Sequence, residues 1–139
     1  MRKTILASHG HLAEGMKDAA KLITGSMADS IETYCLLPGN SPTDYAEKLE
    51  TEIKNSPEIE YVIVTDLYGA SVCTAMVPLT KYPNVRLFTG LNLAMVLNLL
   101  LSFCEPLTTL NIADIVQETK EGIKFIEFSN QIDQVENDF

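Results

Sequence analysis

Residues 4–10 read TILASHG, and residues 61–66 read YVIVTD. Each is apolar almost throughout and breaks into polar residues at its end. Runs of this length without alternation suit central strands covered on both faces, the usual state in a parallel sheet. Two further runs, IETYCLL (31–37) and VRLFTG (85–90), are strand-like by their β-branched and aliphatic content. Helical patterns lie between the runs. Leu12, Ala13, Met16, Ala19, Ala20 and Ile23 share a helical spacing, and Gly25 is a natural stop. NSPTD (40–44) starts a second helix, with Ser41 as cap, Pro42 at the first helical position and Asp44 completing a box-like pattern. Tyr45, Leu49 and Ile53 mark its buried stripe. A third helix is expected from Ala70 to Tyr82, a fourth over 92–103 and a fifth over Ile112–Glu121. The order βαβαβαβ predicts a doubly wound α/β fold: a mainly parallel sheet of four strands, right-handed crossovers and helices on both faces. IKFIEF (123–128) alternates and reads as a further strand, and the acidic stretch 129–139 as a polar, frayed tail.

Composition narrows the function. The chain has 139 residues, 46% of them hydrophobic, enough for one compact domain. Nineteen acids against ten bases leave a net charge of −9. That sign argues against nucleic acid or an anionic membrane as partner, because both require clustered Lys and Arg. Cys35, Cys73 and Cys104 show no metal spacing and are expected to be small buried hydrophobes. No signal peptide is expected at the N-terminus. The apolar stretch 91–103 contains Asn92 and Asn98 and falls short of the roughly 20 residues of a membrane span. A cytoplasmic protein is expected.

Ligands of open parallel sheets sit beyond the carboxyl ends of the strands, near a topological switch point. Those ends carry Ser8-His9-Gly10-His11, Pro38-Gly39-Asn40-Ser41, DLYGASV (66–72) and Gly90-Leu91-Asn92. His9 and Asp66 would stand at the ends of neighbouring strands. A carboxylate that accepts the Nδ1 proton of an imidazole leaves Nε2 nucleophilic. Helix starts after Gly10 and near Ala70 would offer free backbone N–H groups to an anion, and Ser71 a hydroxyl. No lysine or arginine lies in these loops. The set suits a histidine that receives a phosphoryl group and passes it on, with dipoles rather than cations holding the charge.

Neighbouring chemistries fail on particular residues. A phosphoaspartate receiver needs acids where Ser8-His9 stands. A flavodoxin needs a Ser/Thr-rich loop after the first strand. A histidine phosphatase needs an arginine at position 8 and a second, distant histidine. GASVC (69–73) is no nucleophile elbow. Two histidines two apart and one remote aspartate make a poor catalytic metal site. No cofactor and no metal are expected.

Four strand-end motifs in order, SHG (8–10), LLPGNSP (36–42), VTDLYGAS (64–71) and TGLNLAMVL (89–97), resemble the enzyme IIA domain of the mannose-type bacterial sugar phosphotransferase system, over about residues 1–128. The resemblance implies that His9 is phosphorylated at Nε2 by the phosphocarrier HPr and passes the group to a IIB component during sugar uptake. It makes Asp66 the hydrogen-bond partner, and Ser71 with backbone at Gly10, Gly69 and Ala70 the lining of the phosphate pocket. It further implies a homodimer that exchanges IKFIEF as an antiparallel strand, a IIB on a separate chain and an indirect, peripheral link to the membrane components IIC and IID. Ala70 and Val72 replace a Gly and a Pro usual in the family, and Ala94 a Pro; Tyr68 is expected on a docking rim and His11 in the loop or on the rim. Two other readings keep the fold: a phosphoryl donor to dihydroxyacetone kinase, and a non-catalytic regulatory dimer, which the retained His9 and Asp66 disfavour.

Overall fold

The computed structural model describes residues 1–128, so the tail expected over 129–139 lies outside the described residues. Four strands, β1 (Arg2–His9), β2 (Glu32–Leu36), β3 (Glu60–Thr65) and β4 (Val85–Thr89), form one sheet in the order β2-β1-β3-β4. All three pairings are parallel. Among the described residues, five α-helices accompany them: α1 (Leu12–Thr24), α2 (Pro42–Asn55), α3 (Ser71–Met76), α4 (Leu93–Leu101) and α5 (Thr109–Glu121).

The pleat sends successive side chains to opposite faces and so creates two cores. Leu6, Val62, Val64 and Phe88 meet Ala13 and Ala20 of α1, Val96 and Leu99 of α4 and Ile115 of α5. Ile5, Ala7, Tyr61 and Ile63 meet Leu49 and Ile53 of α2 and Val72 and Met76 of α3. Every residue of β3 is buried, which is why its sequence does not alternate. The doubly wound arrangement is therefore as expected, with its switch point between β1 and β3.

Local chemistry explains the helix ends. Ser41 Oγ accepts from the Asp44 amide, and Asn92 Oδ1 accepts from the Met95 amide, at 2.9 Å in the latter case. Pro78 has no N–H to continue α3, and the chain tightens into a 3₁₀ turn over Val77–Lys81. α5 starts three residues before the expected Ile112. Thr108 and Asn111 cap each other reciprocally, each side chain accepting from the other's amide at 3.1 and 3.0 Å.

One expectation needs correction, that of Cys104; the strand over 123–128, expected to be exchanged in a dimer, concerns a second copy. Residues 123–127 form no strand within the single chain, and the side chains of Ile123, Phe125, Ile126 and Phe128 are exposed. The alternating pattern is present, but the segment leaves α5 without joining either edge of the sheet, and alternation alone provides no ladder partner. Cys104 is exposed rather than buried, because it follows α4 in a surface turn; Cys73 is buried and Cys35 half-buried.

At the amino ends of the strands, Arg2 and Glu60 pair at 2.7 Å and are nearly buried. The Arg2 guanidinium also donates to the carbonyls of Leu99, Phe103 and Cys104, and Glu60 Oε2 accepts from the Leu107 amide at 2.6 Å. This network ties β1 and β3 to the loop between α4 and α5.

Candidate active site

The β1–β3 register pairs Ala7 with Thr65, which brings the ends of the two central strands side by side. His9 ends β1 and Asp66 follows β3. Asp66 Oδ2 accepts from the His9 amide and from His9 Nδ1, both at 2.8 Å. Its other oxygen accepts from the Leu67 amide at 2.9 Å. Burial opposes ionisation of Asp66, but the His9 amide, the His9 ring and the Leu67 amide outweigh it and hold the carboxyl below the usual carboxylate range. An ionised carboxylate can only accept, so Nδ1 carries a proton, and the neutral ring then presents its lone pair at Nε2. The His9 side chain is 46% exposed, so this lone pair is accessible to an incoming group.

Ser71 Oγ lies 3.5 Å from His9 Nε2. Ser71 is the first residue of α3, whose first-turn amides have no carbonyl partner within the helix. The Thr74 amide is the first to bond back, to the Ala70 carbonyl at 2.9 Å. Dipoles of the α3 start therefore stand beside Nε2. Asp66 does not cap α3; the N-cap is Ala70, without a side-chain cap.

The remaining expected pocket residues serve the backbone. Gly10 takes a φ of +54° and Gly69 a φ of +78°, values that L side chains rarely adopt, and both turn the chain sharply at the sheet edge. The Gly10 amide is already spent, donating to the Leu36 carbonyl of β2 at 2.9 Å. The Ala70 amide closes a turn onto the Leu67 carbonyl at 3.2 Å. Neither N–H is therefore available to a ligand in this conformation. Ala70 still supplies the extended N-cap geometry from which α3 begins.

Ser8 is a residue whose role the sequence did not disclose. It is fully buried, and its hydroxyl accepts from the Ala13 amide at 2.7 Å. His11 occupies the N-cap of α1 but makes no side-chain cap, so Ser8 satisfies an orphan amide of α1 from inside the core. This bond fixes the turn that carries His9. A serine five residues before a helical amide was the available signal. Around the site, Leu12, Leu67 and Tyr68 are exposed and give the rim an apolar character. Lysine and arginine are absent from the four strand-end loops. No helix among the described residues is long and apolar enough to cross a membrane.

Comparison with known proteins places this geometry. A family model described as the fructose IIA component of the phosphotransferase system matches residues 3–117. A protein assigned to the phosphoenolpyruvate-dependent sugar phosphotransferase system of Klebsiella pneumoniae is similar in structure, with a TM-score of 0.80 and 30% identity over 89% of this chain and 90% of that one. The mannose/sorbose-specific IIA subunit from Enterococcus faecalis aligns with a TM-score of 0.73 and 28% identity over 91% of this chain and 96% of its own. The phosphotransferase component EIIA of Streptococcus agalactiae gives 0.75 and 26% over 93% and 98%.

Proposed function

This chain belongs to the mannose-type IIA family of sugar phosphotransferase systems, and from that premise we propose that His9 is its phosphoryl acceptor, charged by phospho-HPr and discharged to a IIB component. The observation that carries the reading is the His9–Asp66 pair. One ring nitrogen is held by a carboxylate at 2.8 Å, and the other faces outward beside Ser71 and the start of α3.

The chemistry follows from that arrangement. His9 Nε2 attacks phosphorus while the bond from phosphorus to the donor's histidine nitrogen breaks, and the donor keeps that electron pair. The His9 ring gains positive character as the new P–N bond forms, and the Asp66 carboxylate on Nδ1 stabilises it without taking the proton. The Ser71 hydroxyl and the first-turn amides of α3 face the phosphoryl oxygens, where charge is spread in the transition state. Attack by a nucleophile of IIB reverses the sequence. The acidic surface and the apolar rim of Leu12, Leu67 and Tyr68 suit a partner with a basic margin around its own reactive group.

The exposed apolar side chains of 123–128 support the homodimer reading, since a second copy would provide the ladder partner that the single chain lacks. Light scattering of the full chain should then give twice the chain mass, and a chain mass of one would remove the exchanged strand from the proposal. Peripheral association with IIC and IID belongs to the same reading.

The test of phosphoryl transfer is direct. Incubation with phosphoenolpyruvate, enzyme I and HPr should add the mass of one phosphoryl group, stable to alkali and labile to acid. His9→Gln should abolish the adduct and His11→Gln should retain it. An adduct that persists in His9→Gln overturns the assignment.

A further inference from the structure

Two residues beyond His9, a second group of donor atoms comes together that phosphoryl transfer does not use. His11 stands at the N-cap of α1, Glu14 in its first turn and Cys35 in β2. One ligand atom from each, a ring nitrogen, a carboxylate oxygen and a thiol sulfur, lies within 4.8 Å of the other two. His11 Nδ1 and Glu14 Oε2 are 3.3 Å apart. We propose that His11, Glu14 and Cys35 form a binding site for zinc-class divalent cations.

Secondary structure assembles the group. The separation of three residues sets His11 and Glu14 on one side of the start of α1. Cys35 is placed by strand register, opposite Ser8. Ser8 in turn anchors α1 through the Ala13 amide, so one buried hydroxyl fixes the helix that carries two donors against the strand that carries the third. Cys35 is a free thiol, half-buried and packed against the core beside α1.

The donor set selects the ion. Imidazole, carboxylate and thiolate together suit zinc, whereas Mg²⁺ and Ca²⁺ demand oxygen ligands. Thiolate and carboxylate would neutralise a divalent charge. Tetrahedral ligands at about 2.0–2.3 Å from zinc stand about 3.5 Å from each other. Closing the present spacing needs movement only of His11 and Glu14, whose side chains are 69% and 59% exposed and free to change rotamer. Water would fill the fourth position.

Cobalt(II) is the probe, read by absorbance on the reduced full chain with no phosphotransfer component present. Its outcome is therefore independent of the role of His9. One equivalent of cobalt should produce a thiolate-to-metal charge-transfer band and tetrahedral d–d bands, both displaced by zinc. Cys35→Ser should abolish the charge-transfer band. His11→Gln and Glu14→Gln should each weaken binding by at least about tenfold, since even outer partners of metal ligands contribute that much. His9→Gln and Cys104→Ser should leave the spectrum unchanged. Thermal melting shows whether each variant is folded, and the exposed His11 variant keeps the test decisive if Cys35→Ser is unstable. Absence of cobalt uptake, a spectrum unaltered in His11→Gln, or a band that follows Cys104 overturns the site.

Discussion

The two ends of the sheet each hold one cation-type residue against one carboxylate, and they use the pair in opposite ways. At the amino end, Arg2 and Glu60 are nearly buried, and both are bonded further, to three carbonyls and to one amide. The Arg2 guanidinium and both Glu60 oxygens are engaged within the chain, and the pair is too nearly buried to serve a ligand. At the carboxyl end, Asp66 is held by two amides and a ring nitrogen, but His9 keeps one nitrogen that faces outward. Burial and engagement on both sides make an anchor; an open nitrogen on one side is what the proposed chemistry uses.

The largest effect that would break this contrast is expected at the anchor. Glu60→Ala leaves the nearly buried Arg2 charge with carbonyl acceptors but no counter-charge, and the Leu107 amide without its acceptor, and should cost about 3–5 kcal/mol of stability in urea titrations. The folded fraction should still label at His9 at the normal rate. A labelling defect exceeding the loss of folded protein would show that the two ends are coupled.

Asp66→Ala should do the reverse. With the ring free to turn, phosphoryl transfer is expected to fall about 100-fold, as for a misplaced reactive group, while the urea midpoint moves less than in Glu60→Ala. Unchanged transfer would reduce Asp66 to a backbone fastener. The pH dependence sharpens the same point. The folded carboxyl of Asp66 is held low, so its stabilisation is present above the unfolded pKa of about 3.9 and is lost as the pH falls through the folded value. The stability gap between wild type and Asp66→Asn should close as the pH falls below about 4. A gap that stays constant in acid contradicts the assignment. Smallest of the three, Ser71→Ala removes one neutral hydrogen bond and should slow transfer about fivefold, as expected for about 1 kcal/mol. No change in single-turnover rate would leave the α3 amides alone in that role.

Some of this was legible in the sequence, and the physics explains where legibility stopped. Continuous burial of β3 reads directly as an apolar run, and the parallel order follows from alternating strand and helix patterns. His9 and Asp66 could be paired because sheet order fixes which strand ends are neighbours. The use of the Gly10 and Ala70 amides could not be read, since it depends on how each turn closes rather than on residue type. Ser8 looked like one more strand residue because a buried hydroxyl bonded at long range leaves no periodic trace. α5 began early because Asn111 fills a capping position where Glu or Gln is the familiar sign. IKFIEF has the alternation of a strand, but a strand also needs an edge, and that lies outside the information in its six residues.

A consequence follows from the double hold of Asp66 Oδ2 on the amide and the ring of His9. The Nε2 lone pair has one fixed bearing, so a phosphorus atom can approach in line from a single side. On the proposed reading, donor and acceptor proteins would occupy the same patch in alternation, and ping-pong kinetics are expected. Each should inhibit the other competitively when added in excess.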